Sequence, residues 1–287
     1  MKELKLAILI MAHRLPEQVA LLCNCLMHKD IDIYIHIDKK VNDSSFKKLI
    51  LTPNTYFIQN RTATEWGAFS IIDTIINCYI EIMDSNKYDY ICNISGQDFP
   101  IKTMPQLINY IKENYGSEFI ENKSYSLDDS WWQENASRIN KYSFINMKFK
   151  GKYKIEKIFN TITPIRRPLN NIVFSGNSGW FCLSNEAVSF VISSYKHNKI
   201  LNRYFKFVWG ADEIYFSTIL YNSTFKDKLI GNLLHTEWLT SEKLHPKVFT
   251  AQDKIQLKQS NKFFARKFDY TIDKEIIDYI QTLSNKY

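Results

Sequence analysis

The sequence holds no C-x-x-C pair and only five cysteines: Cys23, Cys25, Cys78, Cys92 and Cys182. An odd number without paired spacing argues against a disulfide framework. Because each lies in an apolar stretch, they are expected as buried free thiols in a reducing compartment. His13, His28, His36, His197, His235 and His245 show no ligand spacing with them, which argues against a zinc site. The apolar stretch at residues 6–12 is far short of the ~20 residues of a spanning helix, and no small-residue cleavage site follows it. The expected location is therefore cytoplasmic, with peripheral association at the inner face of a membrane left open. No segment repeats and none is of low complexity.

What is present is a globular composition. The chain has 287 residues, 45% of them hydrophobic and 15% aromatic, enough for one substantial core or two fused lobes. A formal charge of +7 points to an acidic partner, such as a nucleotide diphosphate, a nucleic acid or an anionic membrane surface, or else to well-solvated lysines.

Hydrophobic patterning predicts strand–helix alternation in the first half. Residues 6–12 form a continuous apolar run, as in a strand buried on both faces, and Pro16 opens a helix over about 17–27. Strands follow at 31–37 and 55–59, then a helix at 70–85 and a strand at 88–94. Polar residues gather at the strand C-termini, where open α/β sheets bind ligands. Residues 1–117 thus read as a nucleotide-binding half of a single domain. Residues 118–167 read as a long irregular insertion shaping a substrate site. The rest resumes with a turn and strand at 173–181, helices near 185–195 and at Asp212-Glu213, and an amphipathic last helix expected to pack on the sheet.

Four polar clusters carry the chemistry. Asp38, at the end of a strand, could accept hydrogen bonds from a ribose or a base, or simply close a turn. Asp98, in the run Ser95-Gly96-Gln97-Asp98, could hold sugar hydroxyls or brace the bend. Asp212 and Glu213 begin a helix, either as caps or with one as a general base taking a proton from an attacking hydroxyl. Arg266 and Lys267 stand among Phe263, Phe264 and Phe268, with Lys247 upstream. Such a cationic surface helix turn set among aromatics needs an anion, either a diphosphate or Asp269 or Asp273. No D-x-D follows a strand to clamp a divalent ion.

In order along the chain, these clusters resemble the core-2/I-branching β-1,6-N-acetylglucosaminyltransferase family, which includes the peptide O-xylosyltransferases. The resemblance is carried by Ala12-His13, Pro16-Glu17-Gln18, His36-Ile37-Asp38-Lys39, residues 61–67 (Arg-Thr-Ala-Thr-Glu-Trp-Gly), residues 95–103, residues 175–181, Asp212-Glu213 and residues 264–268. It implies a GT-A type α/β fold, a mixed central sheet flanked by helices, without the metal-binding D-x-D. It also implies inverting transfer from a UDP-sugar, with N-acetylglucosamine the first choice, to a hydroxyl of a glycan or glycolipid acceptor. No cofactor, metal or nucleic acid is implied, and the setting would be bacterial surface polysaccharide synthesis. By position Glu213 is the base, and Arg266, Lys267 and Lys247 bind the diphosphate. His13, Asp38, Thr64 and Trp66 lie near the nucleotide, and Asp98, Arg138, Trp180 and Asp212 near sugar or acceptor. Lys247 replaces an Arg of the branching enzymes, turning a bidentate contact into a point charge. Gly179 stands where the xylosyltransferases carry an acidic residue. The alternative is a catalytically silent nucleotide- or carbohydrate-binding protein on the same fold.

Overall fold

The computed structural model describes residues 3–239 and 245–284. Its first half runs β1 (Leu6–Ala12), α1 (Pro16–Cys25), β2 (Ile31–Ile37), α2 (Ser44–Leu49), β3 (Thr55–Phe57), α3 (Ser70–Ser85), β4 (Tyr90–Ser95), β5 (Asp98–Pro100) and α4 (Met104–Glu113). Then come β6 (Glu118–Phe119), β7 (Lys123–Ser124), α5 (Ser130–Asn135), α6 (Ser137–Asn140), α7 (Lys152–Ile162), β8 (Ser175–Gly176) and β9 (Phe181–Ser184). The chain continues through α8 (Asn185–His197), α9 (Lys199–Phe205), α10 (Asp212–Tyr221), β10 (Leu229–Ile230) and β11 (Leu234–Thr236). It closes with α11 (Lys254–Gln259), β12 (Phe264–Arg266) and α12 (Lys274–Ser284).

A seven-stranded sheet in the order β10-β6-β9-β4-β1-β2-β3 forms the centre. β1 pairs in parallel with both β2 and β4, while β9 runs antiparallel to β4 and to β6, so the sheet is mixed. The unbroken apolar run of β1 is explained by its two burials. Leu6, Ile8 and Ile10 face a core with α1, α4 and α12, and Ala7 and Leu9 face another with α3, α8 and α10. All five cysteines are buried and none forms a disulfide. The last helix packs on α1 and on β5 of the small three-stranded sheet, and its isoleucines join the core on that face of β1.

The segment read as a surface helix turn, residues 263–269, is instead built on a short, largely buried strand, β12. β12 lies between β11 and β5, with Phe264 and Ala265 enclosed, and its antiparallel register sets Arg266 opposite Asp98. Two adjacent apolar residues, 264 and 265, followed by a cation at 266 suit a short strand buried on both faces whose end meets a polar site. Gln18 of α1 ties these parts together. Its amide donates to the carbonyls of Gly96 at 2.8 Å and Phe268 at 3.3 Å, and its oxygen accepts from the Tyr270 N–H at 2.8 Å. The insertion is more ordered than its composition predicts. Arg166 is buried with its guanidinium 3.4 Å from the centre of the Tyr204 ring and 4.8 Å from that of Tyr142, donating to the Tyr204 carbonyl at 2.6 Å. That clamp fixes the end of α7 to α9.

Glu118 is a buried carboxylate on β6, one strand in from the β10 edge of the sheet. It accepts from the Ser184 N–H at 2.8 Å and the Ser184 hydroxyl at 2.6 Å, at the start of α8. Burial raises its pKa from 4.5 to about 7, with the Ser184 bonds opposing. The folded protein therefore holds a proton that the unfolded chain releases at lower pH. Stability from this site is complete below about pH 4.5 and is lost as pH rises through about 7. Glu118→Gln is expected to remove that slope, recovering on the order of 2–3 kcal/mol at pH 8 relative to pH 4.5. Urea unfolding of both proteins at the two pH values checks it; parallel pH dependences would refute the assignment.

Candidate active site

His13, Asp38 and Thr64, three of the residues expected near a nucleotide, meet at the C-terminal ends of β1 and β2. The Asp38 carboxylate accepts from the Lys40 N–H at 2.8 Å and the Thr64 N–H at 3.1 Å, and also from the Thr64 hydroxyl. Burial opposes its ionisation, but the Thr64 and Lys40 bonds prevail and hold its pKa below the usual value. Arg61 locks the same loop from behind, donating to the Ile37 and Asp38 carbonyls at 2.9 Å each and pairing with Asp43 at 2.9 Å. Neighbouring His36 is buried and stays neutral, its pKa lowered to about 4, and accepts from the Thr62 N–H. His13 sits within the field of Asp38, Arg14, Arg266 and Lys40. Desolvation lowers its pKa first, and the cations act in the same direction against Asp38. Trp66 leaves 60% of its surface exposed at the rim, edge-on to Trp209 at 5.1 Å and 5.8 Å from His245.

The cationic side is built around Arg266. Its Nη1 donates to Asp98 at 2.8 Å and to the Ser95 hydroxyl, and the guanidinium lies 4.5 Å from the Trp180 ring. Asp98 is fully buried, its oxygens taken by Ser95 and Arg266. It thus stands behind Arg266 as the anion of that pair, rather than on the cleft surface where sugar hydroxyls would meet it. Neither Asp269 nor Asp273 fills that role. Asp269 binds Arg14 at 2.6 Å, and Asp273 caps α12 by accepting from the Ile276 N–H. Among the described residues, the hydrogen bonds of the Arg266 guanidinium all leave from Nη1, so Nε and Nη2 remain to meet a ligand. Lys247 is brought alongside by backbone pairing, since the Lys267 N–H donates to the Lys247 carbonyl at 3.2 Å. Its ammonium, however, is already held by Asp253 at 2.7 Å and Glu237 at 3.2 Å, which raise its pKa.

The carboxylate pair opens α10. Glu213 pairs with Arg138 Nη1, and the Arg138 guanidinium lies 4.6 Å from the Trp209 ring and 5.4 Å from Trp131. Arg138 is therefore first of all the partner of Glu213. Gly210, at φ +64°, makes room for it, because a Cβ there would lie 2.8 Å from Arg138 Nη1. Asp212 points the other way, toward Gly179, where a Cβ would come within 2.7 Å of its Oδ2. Burial, then the Glu213 charge, raises the Asp212 pKa to about 7, while Arg138 and Arg266 oppose the rise. Asp212 thus lies within the fields of Glu213, Arg138 and Arg266 at once, with Trp180 packed on the last.

A cavity of about 450 Å³ continues from Arg138 and Trp209 into the insertion, lined further by Asn135, Lys141, Tyr142, Tyr153 and Asn160. Sequence reading gave Trp209 no role, although it opens the run that carries the paired carboxylates. It also missed Ser95 as a ligand of Arg266, for which the local run carried no signal. The one D-x-D in the chain, Asp30-Ile31-Asp32, lies at the opposite, N-terminal end of β2, where Asp32 accepts from the Tyr88 hydroxyl at 2.7 Å.

A family model for the Core-2/I-Branching enzyme matches residues 6–262. Xylosyltransferase oxt of Drosophila melanogaster is 24% identical over 302 aligned positions, covering 96% of this chain and 33% of that protein. Xylosyltransferase 1 of Homo sapiens is 26% identical over 298 positions, covering 95% of this chain and 30% of that protein. The chain spans about a third of the length of these curated relatives. Among solved structures, mouse xyloside xylosyltransferase 1 in its apo form aligns at 9% identity with a TM-score of 0.41, over 91% of this chain and 96% of that one. The family match takes in every motif but the one at residues 264–268, and the mixed sheet flanked by helices agrees with the GT-A type fold the resemblance implies. The chain belongs to the Core-2/I-branching enzyme family of glycosyltransferases.

Proposed function

We propose that this chain transfers a sugar from a UDP-sugar to a hydroxyl of a glycan acceptor, with inversion and without a metal. The observation that carries the reading is that the Asp212-Glu213 carboxylates lie within the field of the Arg266 guanidinium, which Asp98 braces from behind. In this scheme Glu213 takes the proton as the acceptor oxygen attacks the anomeric carbon. The bond from that carbon to the β-phosphate oxygen breaks, and UDP leaves with the electron pair. Arg266, backed by Asp98, meets the charge developing on the diphosphate, with Lys267 beside it. Lys247 joins them once a phosphate competes for it with Asp253 and Glu237. Asp38, Thr64, His13 and Trp66 shape the nucleoside end, and Trp180 and Asp212 the sugar.

N-acetylglucosamine remains the first donor sugar to test. Xylose is the second, because the relatives are named xylosyltransferases. Against a xylosyltransferase-like acidic residue at position 179 stands the Asp212 carboxylate, which fills the space that side chain would need. Polysaccharide synthesis at a bacterial surface is the setting that suits a glycan acceptor.

A thermal-shift panel tests the reading. UDP-N-acetylglucosamine, UDP-xylose, UDP-glucose and UDP-galactose are offered with and without EDTA, followed by transfer assays on the donor that binds. One UDP-sugar should raise Tm by several degrees at saturating ligand, about 2.7 kcal/mol at a hundredfold excess over Kd, and EDTA should leave the shift intact. A shift that EDTA abolishes and Mn²⁺ restores would overturn the metal-free mechanism. Binding without transfer or hydrolysis would point to a silent binding protein.

A further inference from the structure

The structure assigns α7 and its flanks as a docking surface for an anionic lipid membrane. The helix (Lys152–Ile162) has no fully buried residue, yet its sequence is amphipathic. Its inward side is accounted for: Phe159 packs on Tyr142 and Phe144, and the Asn160 amide donates to the Tyr142 carbonyl at 2.7 Å. Its outward side carries Ile155, Ile158 and Ile162, spaced at three and four so that they form one stripe, exposed at 50%, 61% and 75%. Ile165 extends the stripe at 75% exposure. Large aliphatic side chains aligned on an otherwise solvated helix are an interaction surface, not scattered exposure.

Charge selects the partner. Residues 148–167 hold seven Lys and Arg against one Glu, nearly the whole of the chain's excess of +7. Lys148, Lys150, Lys154, Lys157 and Arg167 are exposed, and none of them forms an ion pair among the described residues. A second copy of the chain would bring the same cations face to face and be repelled. A bilayer with anionic headgroups takes both halves of the surface: isoleucines at the acyl boundary, lysines at the phosphates. Among the described residues no helix is long and apolar enough to cross a membrane, so the contact lies in the interface plane. Tyr153 and Asn160 of the same helix line the cavity that begins at Arg138 and Trp209. Docking would therefore bring that cavity to the membrane, where a lipid-borne acceptor would meet it; this last step rests on the transferase reading, whereas docking does not.

Vesicle co-sedimentation of the full chain tests the assignment. The probes are phosphatidylcholine vesicles, alone or with roughly a third phosphatidylglycerol. Binding is expected to the anionic vesicles only, and to fall about tenfold or more in the double variant Ile158→Ser/Ile162→Ser. A similar loss is expected in Lys154→Gln/Lys157→Gln, or on raising salt. Tm and UDP-sugar binding should be unchanged, since these side chains are exposed and none of them lines the cavity. Equal sedimentation with both vesicle types, no sedimentation with either, or unaltered binding by the isoleucine variant would overturn it. So would a dimer in size-exclusion chromatography that the isoleucine variant dissolves. Failure of every UDP-sugar to bind, with vesicle binding intact, would sink the transferase reading alone.

Discussion

Glu213→Gln is expected to lower the transfer rate by about 10²–10⁴ while leaving donor affinity within a fewfold of its original value. The substitution keeps the size and a hydrogen-bonding oxygen for Arg138, so the helix start and the Arg138–Trp209 stack should persist. What it removes is the proton acceptor. The pH profile supplies a second readout. Burial and the Glu213 charge raise Asp212 to about 7, so the pair cannot be fully ionised in acid. Transfer should therefore climb as pH rises through about 7. Asp212→Asn, which removes the carboxyl that takes up the proton, should flatten that limb. If Glu213→Gln transfers at near the original rate, Glu213 is not the base. If the pH profile is unchanged in Asp212→Asn, the limb does not report on Asp212.

Arg266→Ala should cost both turnover and stability, for separable reasons. Loss of a preorganised cation facing the leaving group lowers turnover by about 10²–10³. The same change strands Asp98, which is fully buried and pairs with that guanidinium. Breaking one side of such a pair costs on the order of 3–5 kcal/mol. Burial already pushes the Asp98 pKa up, and without Arg266 it would rise further, so the loss should ease in acid as Asp98 takes up a proton. The double variant Arg266→Ala/Asp98→Asn separates the two effects: Tm should recover much of the loss, and turnover should not. Arg266→Lys should fall between, keeping charge but losing the fork and the stack on Trp180. Recovery of turnover in the double variant would refute a direct role for Arg266.

Much of the first half was legible in the sequence, because its elements are set by local pattern. The apolar run at 6–12, the alternation at 31–37 and the long helix at 70–85 are strands and a helix with nearly the bounds expected. Pro16 does open α1. The polar clusters at those strand ends, Asp38 and Thr64 above all, do come together. The misread segment was 263–269. Two cations among three phenylalanines carry no period that separates a helix turn from a short strand, and only pairing with β5 settles it.

What the sequence by itself determined is the inventory: which residues are apolar, which polar clusters end which elements, and which family they follow in order. The tertiary structure alone decided who pairs with whom. Asp98 stands behind Arg266 because β5 and β12 run antiparallel in that register, a contact 168 residues apart along the chain. Arg138 holds Glu213 because the insertion folds back over Trp209, bringing together groups separated by 75 residues. Lys247 meets Asp253 and Glu237 before any phosphate does. Charge partners are chosen by distance in space, and a linear pattern records only distance along the chain.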